Sequence, residues 1–151
     1  MELILWRHAE AEDGIHDMER RLTPKGTKQA DRMATFLRER LPEDARILVS
    51  PARRAQQTAQ ALTKNFTTIP SIAPGATPQA ILQASGWQKE GEGCVLIVGH
   101  QPALGEVAAV LLAGKQEYWS IKKGAIWWFS SRLREQNSET TLRLVIAPDF
   151  I

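Results

Sequence analysis

The sequence predicts an α/β fold in three layers, a mostly parallel sheet with helices on both faces and a C-terminal hairpin. Three observations predict it. Short apolar runs suited to buried strands recur at "LILW", "ARILVS" and "GCVLIVG". The segments between them repeat apolar residues at helical spacing. The tail then turns to two strand-like runs, "AIWWFSSRL" and "TTLRLVIA", joined by the polar stretch "REQNSE". With 151 residues, 43% hydrophobic and 24% charged, the chain is sized for one domain over 1–151 with one sizeable core.

The elements follow in order. A first strand over about 2 to 8 leads into the charged loop "EAEDGIHDMERR". Thr23 then offers a side-chain cap, Pro24 suits the first helical position, and Ala30, Met33, Ala34, Leu37 and Leu41 recur along one face, predicting a helix over about 24 to 40. A second strand over about 45 to 50 stops at Pro51, and Ala55, Ala59, Leu62 and Phe66 mark a helix over about 52 to 65. The middle reads as an extended piece near "SIAPG" and a helix over about 78 to 86. The third buried strand, about 93 to 99, precedes a helix opened by Pro102 with Leu104, Val107, Ala108, Leu111 and Leu112 on one face. In the hairpin, Trp127 and Trp128 point to opposite faces, and core packing accounts for at least one of them.

Composition excludes several functions. Nineteen basic against seventeen acidic residues leave a formal charge of +2, too little for a nucleic-acid partner whose phosphates must be neutralised in number. The single cysteine, Cys94, rules out an internal disulfide, sits in an apolar run as a buried inert thiol, and fits a reducing, cytoplasmic compartment. No apolar run approaches the roughly 18 residues that span a bilayer, so no membrane role is expected. Neither a cofactor nor a metal is expected.

The chemistry gathers where buried strands end. In an open α/β sheet, ligands bind outside the carboxyl ends of the parallel strands. The first strand ends in Arg7 and His8, the second at Ser50 with Arg53 and Arg54 just beyond, and the third in "GHQP" with His100. Arginines beside helix N-termini suit a tetrahedral oxyanion, because their planar forks and the free N–H groups match phosphate oxygens. Like charge keeps a neighbouring imidazole neutral, leaving a lone pair for attack on phosphorus. The second imidazole is placed to bond the equatorial oxygens of the transferring group. One step along a helix turns a side chain by about 100°, so Arg53 is expected to face away from the direction Arg54 takes. His16, in a polar loop, is expected in solvent.

These residues carry a resemblance. "LWRHAEA" resembles the Arg-His-Gly signature of the histidine phosphatase superfamily, the phosphoglycerate mutase-like proteins, with Ala9 where that signature has glycine. "LTPKGTKQA", "SPARRAQQTA" and "VGHQP" are similar to three further blocks of that family in the same order, and the resemblance spans essentially the whole chain. It implies that His8 is the nucleophile that becomes phosphorylated, that Arg7 and Arg54 bind the phosphoryl group, and that His100 completes the pocket. Alanine at position 9 and the short chain resemble most the small SixA-like phosphohistidine phosphatases, which implies an open site and a phosphorylated protein as partner.

A gap in the sequence bears on the leaving group. From Ala45 to Lys89 there is no Asp or Glu, although Arg46, Arg53, Arg54, Lys64 and Lys89 are present. Related mutases and phosphomonoesterases use a carboxylic acid from that region to protonate a departing alkoxide. A phosphorylated imidazole needs less help, since it leaves as a neutral ring once its other nitrogen is protonated. Glu10, two residues beyond His8, is the carboxylate that the sequence puts nearest the site, and it is a candidate substrate-binding residue. Two alternatives stand beside this reading: a phosphatase of the same fold acting on small phosphate esters with Glu10 or another loop carboxylate as its acid, and a phospho-ligand binding module without turnover.

Overall fold

The structure, a computed structural model, describes residues 1–87 and 92–151. Lys89, in the acid-free stretch, lies outside the described residues. Strand β1 (Glu2–Arg7) pairs in parallel with β4 (Cys94–Gly99), and β4 in parallel with β2 (Arg46–Val49). Strand β3 (Thr67–Thr68) extends the parallel part, while β5 (Ile126–Arg134) and β6 (Asn137–Ile146) run antiparallel on the other side of β1. The six strands lie in the order β3-β2-β4-β1-β5-β6. The two central strands, β4 and β1, are apolar throughout their middles because helices cover both faces.

Alternation along β1 divides the core. Leu3 and Leu5 pack with Leu104, Val107 and Ala108 of α4 (Ala103–Ala113) and Ile81 of α3 (Pro78–Ser85). Ile4 and Trp6 face the other way, against Met33, Ala34 and Leu37 of α1 (Pro24–Arg38) and Ala55 and Ala59 of α2 (Arg53–Leu62). Each such leucine, isoleucine, valine or methionine side chain, fully buried, contributes about 1.5–3 kcal/mol. Trp128 is buried on the α1 and α2 side, and Trp127 packs on the opposite side against Trp119 and Phe129, with ring centres 6.3 and 6.4 Å away. Both tryptophans serve the core. No helix among the described residues is long and apolar enough to cross a membrane.

Local chemistry sets the element ends. The Thr23 hydroxyl accepts from the Gly26 N–H as the cap of α1, with Pro24 opening the helix. Three expectations need correction. The extended piece lies at Thr67–Thr68, ahead of "SIAPG", because Pro70 and Pro74 cannot donate to a ladder and Pro70–Ile72 instead forms a single 3-10 turn. The hairpin strands run further than expected and meet in a two-residue turn, with Glu135 and Gln136 at φ 51° and 68°. Leu112, placed by its spacing on the buried face of α4, is exposed near the end of that helix.

Candidate active site

Sheet order brings the candidate residues together. β2, β4 and β1 are neighbours, so the residues that follow them, Ser50, His100 and His8, emerge side by side at the carboxyl edge. The Ser50 N–H donates to the Val98 carbonyl and the His8 N–H to the Gly99 carbonyl, each at 3.1 Å, which carries the pairing one step past the strands. The two imidazole rings lie 5.1 Å apart between centres, tilted by 52°. On the far side of His8, its carbonyl accepts from the Gly124 N–H at 3.0 Å. Gly124 has φ +75°, and a Cβ there would meet the ring of Pro148 at 2.8 Å, so glycine is required where the loop grips the end of β1.

The His8 ring has a defined tautomer. Its Nδ1 lies 2.7 Å from the Ala9 carbonyl oxygen, which can only accept, so Nδ1 carries the proton and the neutral ring presents a bare Nε2. Burial is the main cause that pushes the His8 pKa down to about 4. The bond to Ala9 pulls the other way, and the charges of Arg54, Arg7 and Arg20 add to the depression. The ring is therefore uncharged at neutral pH.

His100 is treated alike. Burial first, then His8 and Arg54, bring its pKa down to about 3, against an opposing pull from Asp17. Its Nε2 lies 2.7 Å from the Ser50 hydroxyl oxygen, and that oxygen accepts from the Ala52 N–H at 3.2 Å. Its Nδ1 is buried and has no protein partner.

The two arginines after β2 part as helix geometry requires. Arg54 is 4% exposed, while Arg53 lies in solvent. Arg54 donates through Nη1 to the Asp17 carbonyl at 2.7 Å and through Nη2 to the Asp17 carboxylate at 3.2 Å. Arg7 donates through Nη1 to the Ile121 carbonyl at 2.7 Å. Among the described residues, four buried side-chain nitrogens lack a partner, and three of them are Nε of Arg7, Nε of Arg54 and Nδ1 of His100. Buried donors are nearly always satisfied, so three unpaired nitrogens from residues on one sheet edge mark a place for an acceptor-rich group. His16 is exposed, as its polar loop predicts.

Glu10 faces another task. Its carboxylate accepts from the Thr23 hydroxyl at 2.8 Å, its carbonyl from the Thr23 N–H at 3.0 Å, and its own N–H donates to Gln29 at 3.0 Å. It thereby ties the loop after His8 to the start of α1. The carboxylate that touches a candidate site residue is instead that of Asp17. Burial alone would raise its pKa, but the bonds and charges of Arg20 and Arg54 outweigh this and hold it below the usual carboxylate value. Asp17 and Thr58 are not among the residues that the sequence points to, and Ser50 is read there only as a strand end. Thr58 had a signal, since it lies four residues after Arg54 and so on the same face of α2. Its hydroxyl accepts from the Ala9 N–H at 3.1 Å and donates to the Arg54 carbonyl at 2.7 Å.

Comparison with known proteins gives the family and the fold. The model of the histidine phosphatase superfamily (branch 1) matches residues 3–75, a segment that contains Arg7, His8 and Arg54. The phosphohistidine phosphatase SixA of Escherichia coli K12 is 33% identical over 125 residues, covering 76% of each chain. The chain belongs to the histidine phosphatase superfamily. An uncharacterised protein of Picosynechococcus is 31% identical across 100% of this chain and 99% of its own. Among solved structures of the superfamily, the protein histidine phosphatase SixA complexed with tungstate superposes with a TM-score of 0.82 at 25% identity, covering 99% of both chains. That likeness extends over both halves of the sheet and includes the strand that delivers His100.

Proposed function

We propose that this protein is a phosphohistidine phosphatase that works through a phosphorylated His8. The observation that carries the reading is that Arg7, Arg54 and His100, each with a buried unpaired nitrogen, come from the same sheet edge as a neutral His8 imidazole with a bare Nε2. Nε2 of His8 attacks the phosphorus of a phosphohistidine on a protein. The new P–N bond forms as the substrate's P–N bond breaks, and the departing imidazole takes the electron pair and leaves neutral because its other nitrogen holds a proton. Water then attacks the phosphorus, His8 recovers its lone pair, and both water protons leave on the phosphate. Arg7 and Arg54 bind the phosphoryl oxygens, where transition-state charge spreads. His100 joins them through Nδ1–H, with the Ser50 hydroxyl donating to Nε2.

The carboxylates support phosphohistidine over an ester. Glu10 is engaged by Thr23, and Asp17 is held ionised by Arg20 and Arg54, so neither is poised to protonate an alkoxide. The relatives named phosphohistidine phosphatase support the same substrate class. The whole chain, 1–151, acts as one domain in this reading, supported by strand β1 contributing to the core on both faces of the sheet. Cys94 is the single cysteine of the chain, which supports a reducing, cytoplasmic compartment.

A leaving-group series tests the proposal, with kcat/KM measured for protein-borne phosphohistidine, an aryl phosphate and an alkyl phosphate. The expected order is phosphohistidine fastest and alkyl phosphate slowest. A sugar phosphate turned over as efficiently as phosphohistidine, with Glu10→Gln abolishing only that ester activity, would establish the ester phosphatase instead.

A further inference from the structure

Beside the phosphoryl site, and sharing Arg7 with it, lies a recess of about 410 Å³ whose cations are Arg7, Lys25, Lys122 and Lys123. Its carboxylates are already engaged: Glu10 by the Thr23 hydroxyl, and Asp149 by Lys122 at 3.9 Å. Four cations against two carboxylates leave an excess of two, equal to the formal charge of the entire chain. Lys25, Lys122 and Lys123 are all exposed.

Their placement relative to the reacting centre is fixed by backbone. The segment 121–124 gives the Ile121 carbonyl to Arg7, the Gly124 N–H to the His8 carbonyl and the Gly124 carbonyl to the Trp6 indole N–H at 3.1 Å. Lys122 and Lys123 stand on this same segment, between the two grips. Whatever presents a phosphoryl group to His8 therefore meets their charges at a set offset. We propose that the recess docks an acidic stretch of the phosphorylated protein next to its phosphohistidine. This rests on the phosphohistidine reading above and adds the chemistry by which the protein partner is chosen.

The choice of an acidic polypeptide over a small anion follows from the lining. None of the recess lysines is buried, and mobile, hydrated ammonium groups act as point charges that steer and register a flexible acidic surface. A small anion is held by buried, convergent donors, and the buried unpaired nitrogens belong to the phosphoryl site instead. Rim charges of this type act on encounter and on salt dependence rather than on the chemical step.

The test uses three probes: free phosphohistidine, a phosphohistidine peptide flanked by glutamates, and the same peptide flanked by serines. The wild type is expected to prefer the glutamate peptide by roughly tenfold in kcat/KM at low salt, with the preference shrinking as salt rises. The double variant Lys122→Glu, Lys123→Glu is expected to lose the preference through KM while turning over free phosphohistidine as the wild type does. Equal kcat/KM for both peptides in the wild type, or a preference that survives the double variant, would overturn the docking proposal and leave the phosphohistidine reading standing. An equal loss on free phosphohistidine would also overturn it, because the lysines would then act at the phosphoryl site. Failure of the wild type to hydrolyse any of the three probes would overturn the phosphohistidine reading itself, and the docking proposal with it.

Discussion

Replacing Thr58 by valine removes one hydroxyl and keeps the branched shape, in a side chain that is fully buried. Two bonds go with it, but only one leaves an orphan. The Arg54 carbonyl still accepts the helical bond from the N–H of residue 58, four positions on. The Ala9 N–H, buried and with the Thr58 hydroxyl as its recorded acceptor, is left unsatisfied. Such a loss costs about 1–3 kcal/mol. With a urea slope of about 2 kcal/mol/M, a loss near 2 kcal/mol lowers the unfolding midpoint by about 1 M at unchanged slope. Activity falls as well, because the Ala9 carbonyl fixes the His8 tautomer. If about 1.4 kcal/mol of the loss reaches the transition state, kcat/KM drops about tenfold. Thr58→Ser keeps the hydroxyl and is expected to recover most of both effects. Urea titration and kcat/KM on phosphohistidine, run on both variants, are the assay. Wild-type stability and activity in Thr58→Val, or a serine variant no better than valine, would refute the reasoning.

Arg54→Ala is expected to lose about 10²–10³ in kcat, the range for removing one preorganised donor at a developing oxyanion, while the exposed Arg53→Ala changes little; equal losses in the two, measured on the same substrate, would contradict the orientation of α2. Stability is expected to fall on mild acidification. His8 and His100 have folded pKa values near 4 and 3, below the ordinary 6.5, so between these limits the unfolded chain binds more protons than the folded one. Their contribution is fully present above about pH 6.5 and is lost as pH falls through the folded values, which a urea midpoint lower at about pH 5 than at about pH 7.5 would register and an unchanged midpoint would contradict. Gly26→Ala places a Cβ 1.9 Å from the Glu10 carbonyl oxygen, so α1 must shift from the loop after His8, with a loss of about 1–3 kcal/mol readable as a lower melting temperature.

Strand ends were the most legible part of the sequence. A buried apolar run that stops at Arg7 and His8, and another that stops before His100, can only discharge such residues at a sheet edge, and the parallel pairing of β1 with β4 puts both histidines on the same one. That Arg53 and Arg54 part was legible from helical rotation, and the resemblance of "SPARRAQQTA" to the family block pointed to Arg54. The contact of Asp17 with Arg54 was not, because the two are 37 positions apart and Asp17 opens a single 3-10 turn, too short to show a period. Glu10 is close to His8 in sequence, but that its carboxylate is held by the Thr23 hydroxyl was not legible, because the two are 13 positions apart. The hairpin turn hid for a different reason: Glu135 and Gln136 adopt left-handed backbone where Asn-Gly is the usual sign.

The proposed chemistry passes through a phosphorylated His8. Phosphorus-labelled phosphohistidine, mixed with the enzyme, quenched in alkali within the first turnover and mapped by mass spectrometry, reports where the label rests. Label is expected on Nε2 of His8, the nitrogen left bare by the bond from Nδ1 to the Ala9 carbonyl, with no labelled protein from His8→Ala. Label on His100, or turnover by the wild type with no labelled protein at any time, would contradict it.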